Sequence, residues 1–145
     1  MSRKIAVLLV DDDSLIRRNV TEHLSLSGFD ATPAASGQAA LDELQKTDYD
    51  VVLLDIQMPG LSGLDTLSEI RKLADAPEVI ILTGDASLAT GLDAMRLGAY
   101  DYLTKPARLD EIEALVRKTL SIPSLTDAQR RACRIGPPPD KNQHT

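Results

Sequence analysis

Short apolar runs alternate with longer stretches of helical period along residues 1–122, which predicts five consecutive β-α units. The apolar runs are expected to be buried strands near residues 4–10, 29–34, 51–55, 78–82 and 100–103. The run at 51–55 lacks polar alternation, so both faces of that strand should be covered, as in a parallel sheet. Because β-α-β crossovers are right-handed, the pattern predicts an α/β fold, a three-layer sandwich of a five-stranded parallel sheet with five helices.

The stretches between the strands carry signals for helix beginnings and ends. In the first of them, Ile16, Val20 and Leu24 share one helical face, and Gly28 is expected to end the helix. Ser62 has the spacing of a helix cap ahead of the third helix. The other helices are expected at 36–46, at 86–97 before Gly98, and around 112–120.

Length and composition indicate one domain with a tail. A chain of 145 residues with 43% hydrophobic side chains can bury one sizeable core. Residues 1–122 are expected to form that domain. Residues 123–145 include Pro137-Pro138-Pro139 and are predicted to be a flexible, Pro-rich tail or linker.

Charge and composition exclude several classes of function. The formal net charge is −6, and residues 1–122 carry 12 basic against 20 acidic side chains, a net −8. An acidic domain favours protein partners and argues against direct contact with nucleic acid. No apolar run reaches the roughly 20 residues of a membrane span. Cys133 is the only cysteine and forms no internal disulfide, so a cytoplasmic location is expected.

Charged and polar side chains follow the predicted strands at the points where the strands end. Asp11-Asp12-Asp13 follow the first strand, Asp55 ends the third, Thr83 follows the fourth and Lys105 follows the fifth. These groups should meet, because ligand sites of open α/β sheets lie beyond the carboxyl ends of the strands. Clustered carboxylates repel one another unless a hard cation joins them, and Mg²⁺ fits that requirement.

Five short motifs carry a resemblance to a known family. They are Leu8-Leu9-Val10-Asp11-Asp12-Asp13, Leu54-Asp55-Ile56-Gln57-Met58-Pro59-Gly60, Leu82-Thr83-Gly84, Gly98-Ala99-Tyr100-Asp101-Tyr102 and Leu103-Thr104-Lys105-Pro106. Over about residues 4–121 the chain resembles the receiver domain of the two-component response-regulator family. The resemblance implies a flavodoxin-like, doubly wound sheet with the architecture of stand-alone chemotaxis receivers.

The resemblance also implies roles for the residues at the strand ends. Asp55 would accept a phosphoryl group from a partner histidine kinase, a histidine phosphotransfer protein or a small acyl phosphate. Asp12 would bind Mg²⁺ directly, Asp11 would act on it mainly through water, and the Gln57 backbone carbonyl and Asp55 would complete the protein ligands. Lys105 would pair with Asp55 and then with a phosphoryl oxygen.

Two further residues would respond to phosphorylation. Thr83 would donate its hydroxyl to the phosphoryl group, and Tyr102 would turn into the space that Thr83 leaves. The expected consequence is a changed surface on the fourth helix, fifth strand and fifth helix, which controls an unknown downstream protein. A phosphorylation-dependent homodimer is left open. The chain would be a regulatory phospho-acceptor that assists its own phosphorylation and dephosphorylation, and not an enzyme.

Departures and alternatives accompany this interpretation. Ala107 follows Lys105-Pro106 where the family more often has Phe, so looser packing is expected beneath the last helix. His23 is expected to be solvated. The chain is expected to act alone, and the alternative is a receiver cut from a DNA-binding transcriptional regulator. A second alternative is a small Mg²⁺ phosphatase of the haloacid-dehalogenase type, with Asp11 as the nucleophile.

Overall fold

The sheet has five parallel strands in the order β2-β1-β3-β4-β5. The computed structural model describes residues 4–57, 62–84 and 88–120, with the backbone alone at 88–90. The strands are β1 (Ala6–Val10), β2 (Asp30–Ala34), β3 (Val51–Asp55), β4 (Glu78–Thr83) and β5 (Asp101–Thr104). All residues of β1 and β3 are buried, which confirms that the central strands are covered on both faces.

The helices are α1 (Ser14–Leu26), α2 (Gly37–Lys46), α3 (Gly63–Arg71), α4 (Leu88–Arg96) and α5 (Leu109–Thr119). Their ends follow local chemistry. The side chain of Asp13 accepts hydrogen bonds from the amides of Leu15 and Ile16, and Ser62 Oγ accepts one from the amide of Asp65. Gly28 and Gly98, which follow α1 and α4, have φ values of +96° and +101°, where a side chain would be strained.

Two apolar cores lie on opposite faces of the sheet. Leu8 and Val10 of β1 point into the core that contains buried residues of α2, α3 and α4. Val7 and Leu9 of the same strand point into the core that contains buried residues of α1 and α5. Alternate residues of one strand therefore serve opposite helix layers, and the predicted three-layer sandwich is confirmed.

The last two strands, β4 and β5, each end one residue later than the sequence predicted. β4 continues to Thr83 and β5 runs from Asp101 to Thr104, because Thr83 and Thr104 pair in the last register of the ladder. Apolar runs do not reveal such polar residues inside a ladder. The predicted fourth helix begins at 86, outside the described residues, and the predicted tail at 123–145 lies outside them as well. None of the helices in the described ranges combines the length and hydropathy that a membrane span requires.

Candidate functional site

Four of the predicted site residues lie at the carboxyl edge of the sheet. Asp55 is the last residue of β3, Thr83 is the last residue of β4, and Asp11 and Lys105 directly follow β1 and β5. Since β1, β3 and β4 are neighbours in one parallel sheet, their ends lie side by side. The predicted convergence of these residues on one edge of the sheet is therefore confirmed.

Lys105 bridges two carboxylates across the edge. Its Nζ donates to Asp11 Oδ2 at 2.8 Å and to Asp55 Oδ2 at 3.1 Å. The amide of Lys105 also donates to the carbonyl of Thr83 at 2.6 Å, which fixes the residue at the end of the β4–β5 ladder. The following Lys105-Pro106 peptide bond is cis. The pairing of Lys105 with Asp55 was predicted, whereas the shorter contact with Asp11 was not.

Asp55 is a buried carboxylate held by two donors. Only 3% of the residue is exposed. Besides Lys105 on Oδ2, the amide of Gln57 donates to Asp55 Oδ1 at 3.0 Å. Burial raises the pKa of Asp55 above its usual range, the negative charge of Asp11 raises it further, and the bonds from Gln57 and Lys105 offset part of this increase. The site thus holds this carboxylate in a position unfavourable to its charge.

Lys105 responds to the same environment in the opposite sense. Burial lowers its pKa, but the hydrogen bonds and charges of Asp11 and Asp55 outweigh burial, so that the pKa of Lys105 is raised. The ammonium group therefore stays charged at neutral pH and neutralises part of the acidic cluster.

Asp11 is the most completely enclosed member of the cluster. Its Oδ1 accepts a hydrogen bond from the amide of Asp13 at 2.9 Å, and its backbone carbonyl accepts one from Arg17 Nη1 at 2.8 Å. The sequence reasoning missed this support from Arg17. The signal was available, because Arg17 lies one turn into α1 and its long side chain can reach back to the strand end.

The carboxylates fit a divalent cation. Oxygen atoms of Asp11, Asp12 and Asp55 all lie within 4.8 Å of one another, with Asp12 exposed and the other two buried. The three carboxylates carry three negative charges against the single positive charge of Lys105, so these four side chains have a net charge of −2. Carboxylate oxygens at this spacing, partly open to water, are the ligands that Mg²⁺ prefers.

The two predicted response residues lie on the neighbouring strands β4 and β5. Thr83 is buried at the end of β4, and Tyr102 is half-buried on β5 with its ring against Gly91 of α4. At the mouth of the site, a Cβ on Gly84 would lie 3.0 Å from Oε1 of Gln57, so these two residues are close neighbours. Met58, Pro59 and Asp85, which the sequence also places here, lie outside the described residues.

A cavity lies behind the site, between α1 and the beginning of α5. Its volume is about 520 Å³, and the aliphatic part of its lining includes Ile16, Leu82, Ala107 and Ile112. Ala107 therefore lies beside open space at the beginning of the last helix, where looser packing was expected.

Helices α1 and α5 are joined by a polar cluster that the sequence reasoning did not foresee. Glu113 accepts hydrogen bonds from Ser27 Oγ and Arg117 Nε, and it lies 2.9 Å from Nε2 of His23. These contacts hold the pKa of Glu113 below its usual range, chiefly through Arg117. The guanidinium of Arg117 also lies over the ring of Phe29, 4.7 Å from its centre. His23 was predicted to be solvated; its side chain is 30% exposed, and the prediction missed the carboxylate that α5 brings to it.

Comparison with known proteins agrees with the fold. A family model described as "Response regulator receiver domain" matches residues 7–117. The regulatory protein AtoC of Escherichia coli is 37% identical over 119 residues, which cover 82% of this chain and 26% of AtoC. The receiver domain of Francisella response regulator 1452 is 34% identical, with a TM-score of 0.75, and the match covers 79% of this chain and 95% of that one.

A second solved structure gives the same architecture. The chemotaxis protein CheY4 of Vibrio cholerae has a TM-score of 0.77 at 27% identity, covering 80% of this chain and 98% of that one. The curated relatives are longer, and the chain spans about a quarter to a half of their length. From its carboxylate cluster, its sheet order and these matches, the chain belongs to the response regulator receiver domain family, the regulatory phospho-acceptor domains of two-component signalling.

Proposed function

We propose that Asp55 accepts a phosphoryl group from a phosphohistidine of a partner histidine kinase or phosphotransfer protein, in a Mg²⁺-dependent reaction. The observation that carries the proposal is the position of the Asp55 carboxylate, buried at the end of β3 and 3.1 Å from the ammonium of Lys105. Phosphoryl transfer requires an aligned nucleophile and neutralisation of the phosphoryl oxygens more than it requires a strong base.

In the proposed reaction, a carboxylate oxygen of Asp55 attacks phosphorus and forms a P–O bond. The P–N bond to the donor imidazole breaks, and the bonding electron pair leaves with the imidazole nitrogen. Lys105 changes partner during this step, because its ammonium moves from the Asp55 carboxylate to an oxygen of the phosphoryl group. Asp11, which remains bonded to Lys105, keeps the ammonium in place.

Asp11, Asp12 and Asp55, with the backbone carbonyl of Gln57, would hold the Mg²⁺ ion. When bound, the ion supplies positive charge that stabilises the negative phosphoryl oxygens. The fit of the site to this ion rests on the three carboxylates within 4.8 Å and on their excess negative charge.

The response is proposed to pass through Thr83 and Tyr102 to the surface formed by α4, β5 and α5. Thr83 is buried at the end of β4, the strand next to that of Asp55, and Tyr102 on β5 has its ring against Gly91 of α4. Leu92 and Met95 are exposed on α4 and give that surface an apolar part. A downstream protein of unknown identity would bind there, or a second copy of the phosphorylated chain.

The names of the longer relatives suggest a second proposal, which concerns what the receiver controls. AtoC is named a regulatory protein, and several other relatives are named transcriptional regulators. The alternative proposal for this chain is a receiver that controls transcription through another domain or partner. The cytoplasmic location and the self-catalysed dephosphorylation stay predictions.

The test is intact mass spectrometry after incubation with acetyl phosphate, with and without Mg²⁺. The wild type is expected to gain one phosphoryl group when Mg²⁺ is present, and Asp55→Asn is expected to gain none. Asp13→Asn is a matched control, because Asp13 belongs to the same acidic run but caps α1. It should be phosphorylated like the wild type.

The same experiment separates the phosphatase alternative from the proposal. An adduct that persisted in Asp55→Asn but vanished in Asp11→Asn, with rapid release of free phosphate, would assign the nucleophile to Asp11. The receiver mechanism would then be rejected for this site.

A further inference from the structure

The ring of Tyr102 occupies space that α4 leaves open at a single glycine. A Cβ built on Gly91 would lie 2.7 Å from Cζ, 2.9 Å from Cε1 and 3.0 Å from the hydroxyl oxygen of Tyr102. Real Cβ atoms do not approach other atoms this closely, so the ring takes this position only because residue 91 lacks a side chain.

Gly91 is an unfavourable residue at its place in the chain. It is the fourth of nine residues in α4, and glycine inside a helix costs about 1 kcal/mol relative to alanine. Gly91 is also buried, so it does not serve as a solvent-exposed helix end. Its contact with Tyr102 gives a physical reason for a glycine in the interior of this helix.

The atoms that a Cβ would meet belong to the far end of a flexible side chain. By contrast, a Cβ on Gly63 would meet the backbone of Ile56, 2.2 Å from its Cα. Replacement of Gly91 by alanine therefore leaves the backbone in place and moves the ring. The substitution acts as a selective perturbation of Tyr102.

We infer that Gly91 is a positioning residue, which sets the balance between a conformer with the Tyr102 ring on α4 and a conformer with the ring displaced. The inference rests on the proposed function, in which Tyr102 moves when Asp55 is phosphorylated. A methyl group at position 91 disfavours the conformer with the ring on α4. A ligand that requires the displaced ring must then bind more tightly, because less free energy is spent on moving the ring.

The experiment is a titration with beryllofluoride, a mimic of the phosphoryl group, in the presence of Mg²⁺. Binding is followed by amide NMR shifts in the wild type, Gly91→Ala, Tyr102→Leu and the double variant. Gly91→Ala alone should lower the half-saturating concentration about five- to tenfold. In the Tyr102→Leu protein, Gly91→Ala should change the half-saturating concentration less than twofold. The inference would be overturned if Gly91→Ala left the half-saturating concentration of the wild type unchanged, or lowered it equally in the wild type and in the Tyr102→Leu protein.

Asp93→Ala is the matched control for helix propensity. Asp93 is exposed on α4, where its carboxylate lies 3.8 Å from the guanidinium of Arg96, and its replacement by alanine raises helix propensity while Gly91 is kept. Its half-saturating concentration should equal that of the wild type. A decrease like that of Gly91→Ala would show that α4 stability alone produces the effect, and the inference would fail.

A second measurement tests the contact without any phosphoryl mimic. In urea unfolding, Gly91→Ala should stabilise the Tyr102→Leu protein more than the wild type, because the methyl group meets no ring there. Equal effects in the two backgrounds would overturn the inference. If this coupling is present but beryllofluoride does not bind the wild type, the proposed function fails and the ring contact stands.

Discussion

The ammonium nitrogen of Lys105 lies 2.8 Å from Oδ2 of Asp11, closer than it lies to the proposed phospho-acceptor. Lys105 thus joins two carboxylates in the unphosphorylated protein, in addition to its proposed role in phosphoryl transfer. The side chain of Asp11 is 1% exposed and that of Lys105 is 22% exposed, so the bridge is largely removed from water. Loss of the lysine would leave two buried carboxylates next to each other without a cation.

Replacement of Lys105 by methionine should therefore lower the free energy of unfolding by about 2 kcal/mol in metal-free buffer, as measured by urea unfolding. Millimolar Mg²⁺ should restore part of the loss, because a cation between the carboxylates relieves their repulsion. The same variant should not be phosphorylated at a measurable rate, since no ammonium neutralises the phosphoryl oxygens.

Lys72→Met is the control for removal of a lysine. Lys72 pairs with Glu69 on the exposed side of α3, so its replacement should change stability by less than about 0.5 kcal/mol. A similar small effect for Lys105→Met would mean that the buried cluster does not depend on the lysine.

Asp55→Asn should stabilise the protein at neutral pH. The pKa of Asp55 is raised in the folded state, so the folded protein binds this proton more readily than the unfolded chain does. The contribution of Asp55 to the free energy of unfolding therefore falls as the pH rises through the unfolded and folded pKa values. Removal of the charge in Asp55→Asn should raise the free energy of unfolding by on the order of 1 kcal/mol at pH 7, and by less near pH 4.

The measurement is urea unfolding of both proteins in metal-free buffer at several pH values. Asp48→Asn, at an exposed position, is the control for removal of a surface carboxylate, and its effect should stay below about 0.5 kcal/mol. If Asp55→Asn were less stable than the wild type at neutral pH, the bonds from Lys105 and Gln57 would outweigh the burial of the carboxylate.

The location of the candidate site could be predicted from the sequence, whereas the contacts between Lys105 and the individual carboxylates could not. Apolar runs that end in Asp11, Asp55, Thr83 and Lys105 suffice to place these residues at one edge, because parallel strands end together. Which carboxylate lies closer to Lys105 depends on side-chain rotamers and on the twist of the sheet. Neither can be read from spacing along the chain.

Contacts between helices could not be predicted either, because they too do not follow from spacing along the chain. His23 and Glu113 are 90 residues apart, and each has an ordinary place in its own helix. Their contact arises because α1 and α5 lie on the same face of the sheet. Local features gave better predictions: Ser62 caps α3, as its spacing predicted, and Gly28 follows α1 with a positive φ.

Gly63→Ala should be strongly destabilising. A Cβ at this position would lie 2.2 Å from the Cα of Ile56, and the amide of Gly63 donates to the carbonyl of Ile56 at 3.2 Å. The first turn of α3 therefore packs directly on the backbone that follows Asp55. We expect a loss of about 3 kcal/mol in urea unfolding, and slower phosphorylation because residues 56 and 57 must shift.

Ser68→Ala serves as the control, since it changes a partly buried side chain further along α3 without placing an atom against another backbone segment. Its effect should stay below about 1 kcal/mol. Near-normal stability of Gly63→Ala would show that the beginning of α3 moves away from Ile56 at little cost.

The cavity behind Lys105 should accept a larger side chain at position 107. Ala107 lines this space of about 520 Å³ together with Ile16 and Ile112. Ala107→Phe should bury a ring there and raise the free energy of unfolding by about 1 kcal/mol, less than full burial gives because the cavity opens to water. Ala114→Phe, on the exposed side of α5, should give no increase. If Ala107→Phe were destabilising and Ala114→Phe were not, the beginning of α5 could not accommodate the ring without moving Lys105. Phosphorylation of Asp55 would then be slower in Ala107→Phe.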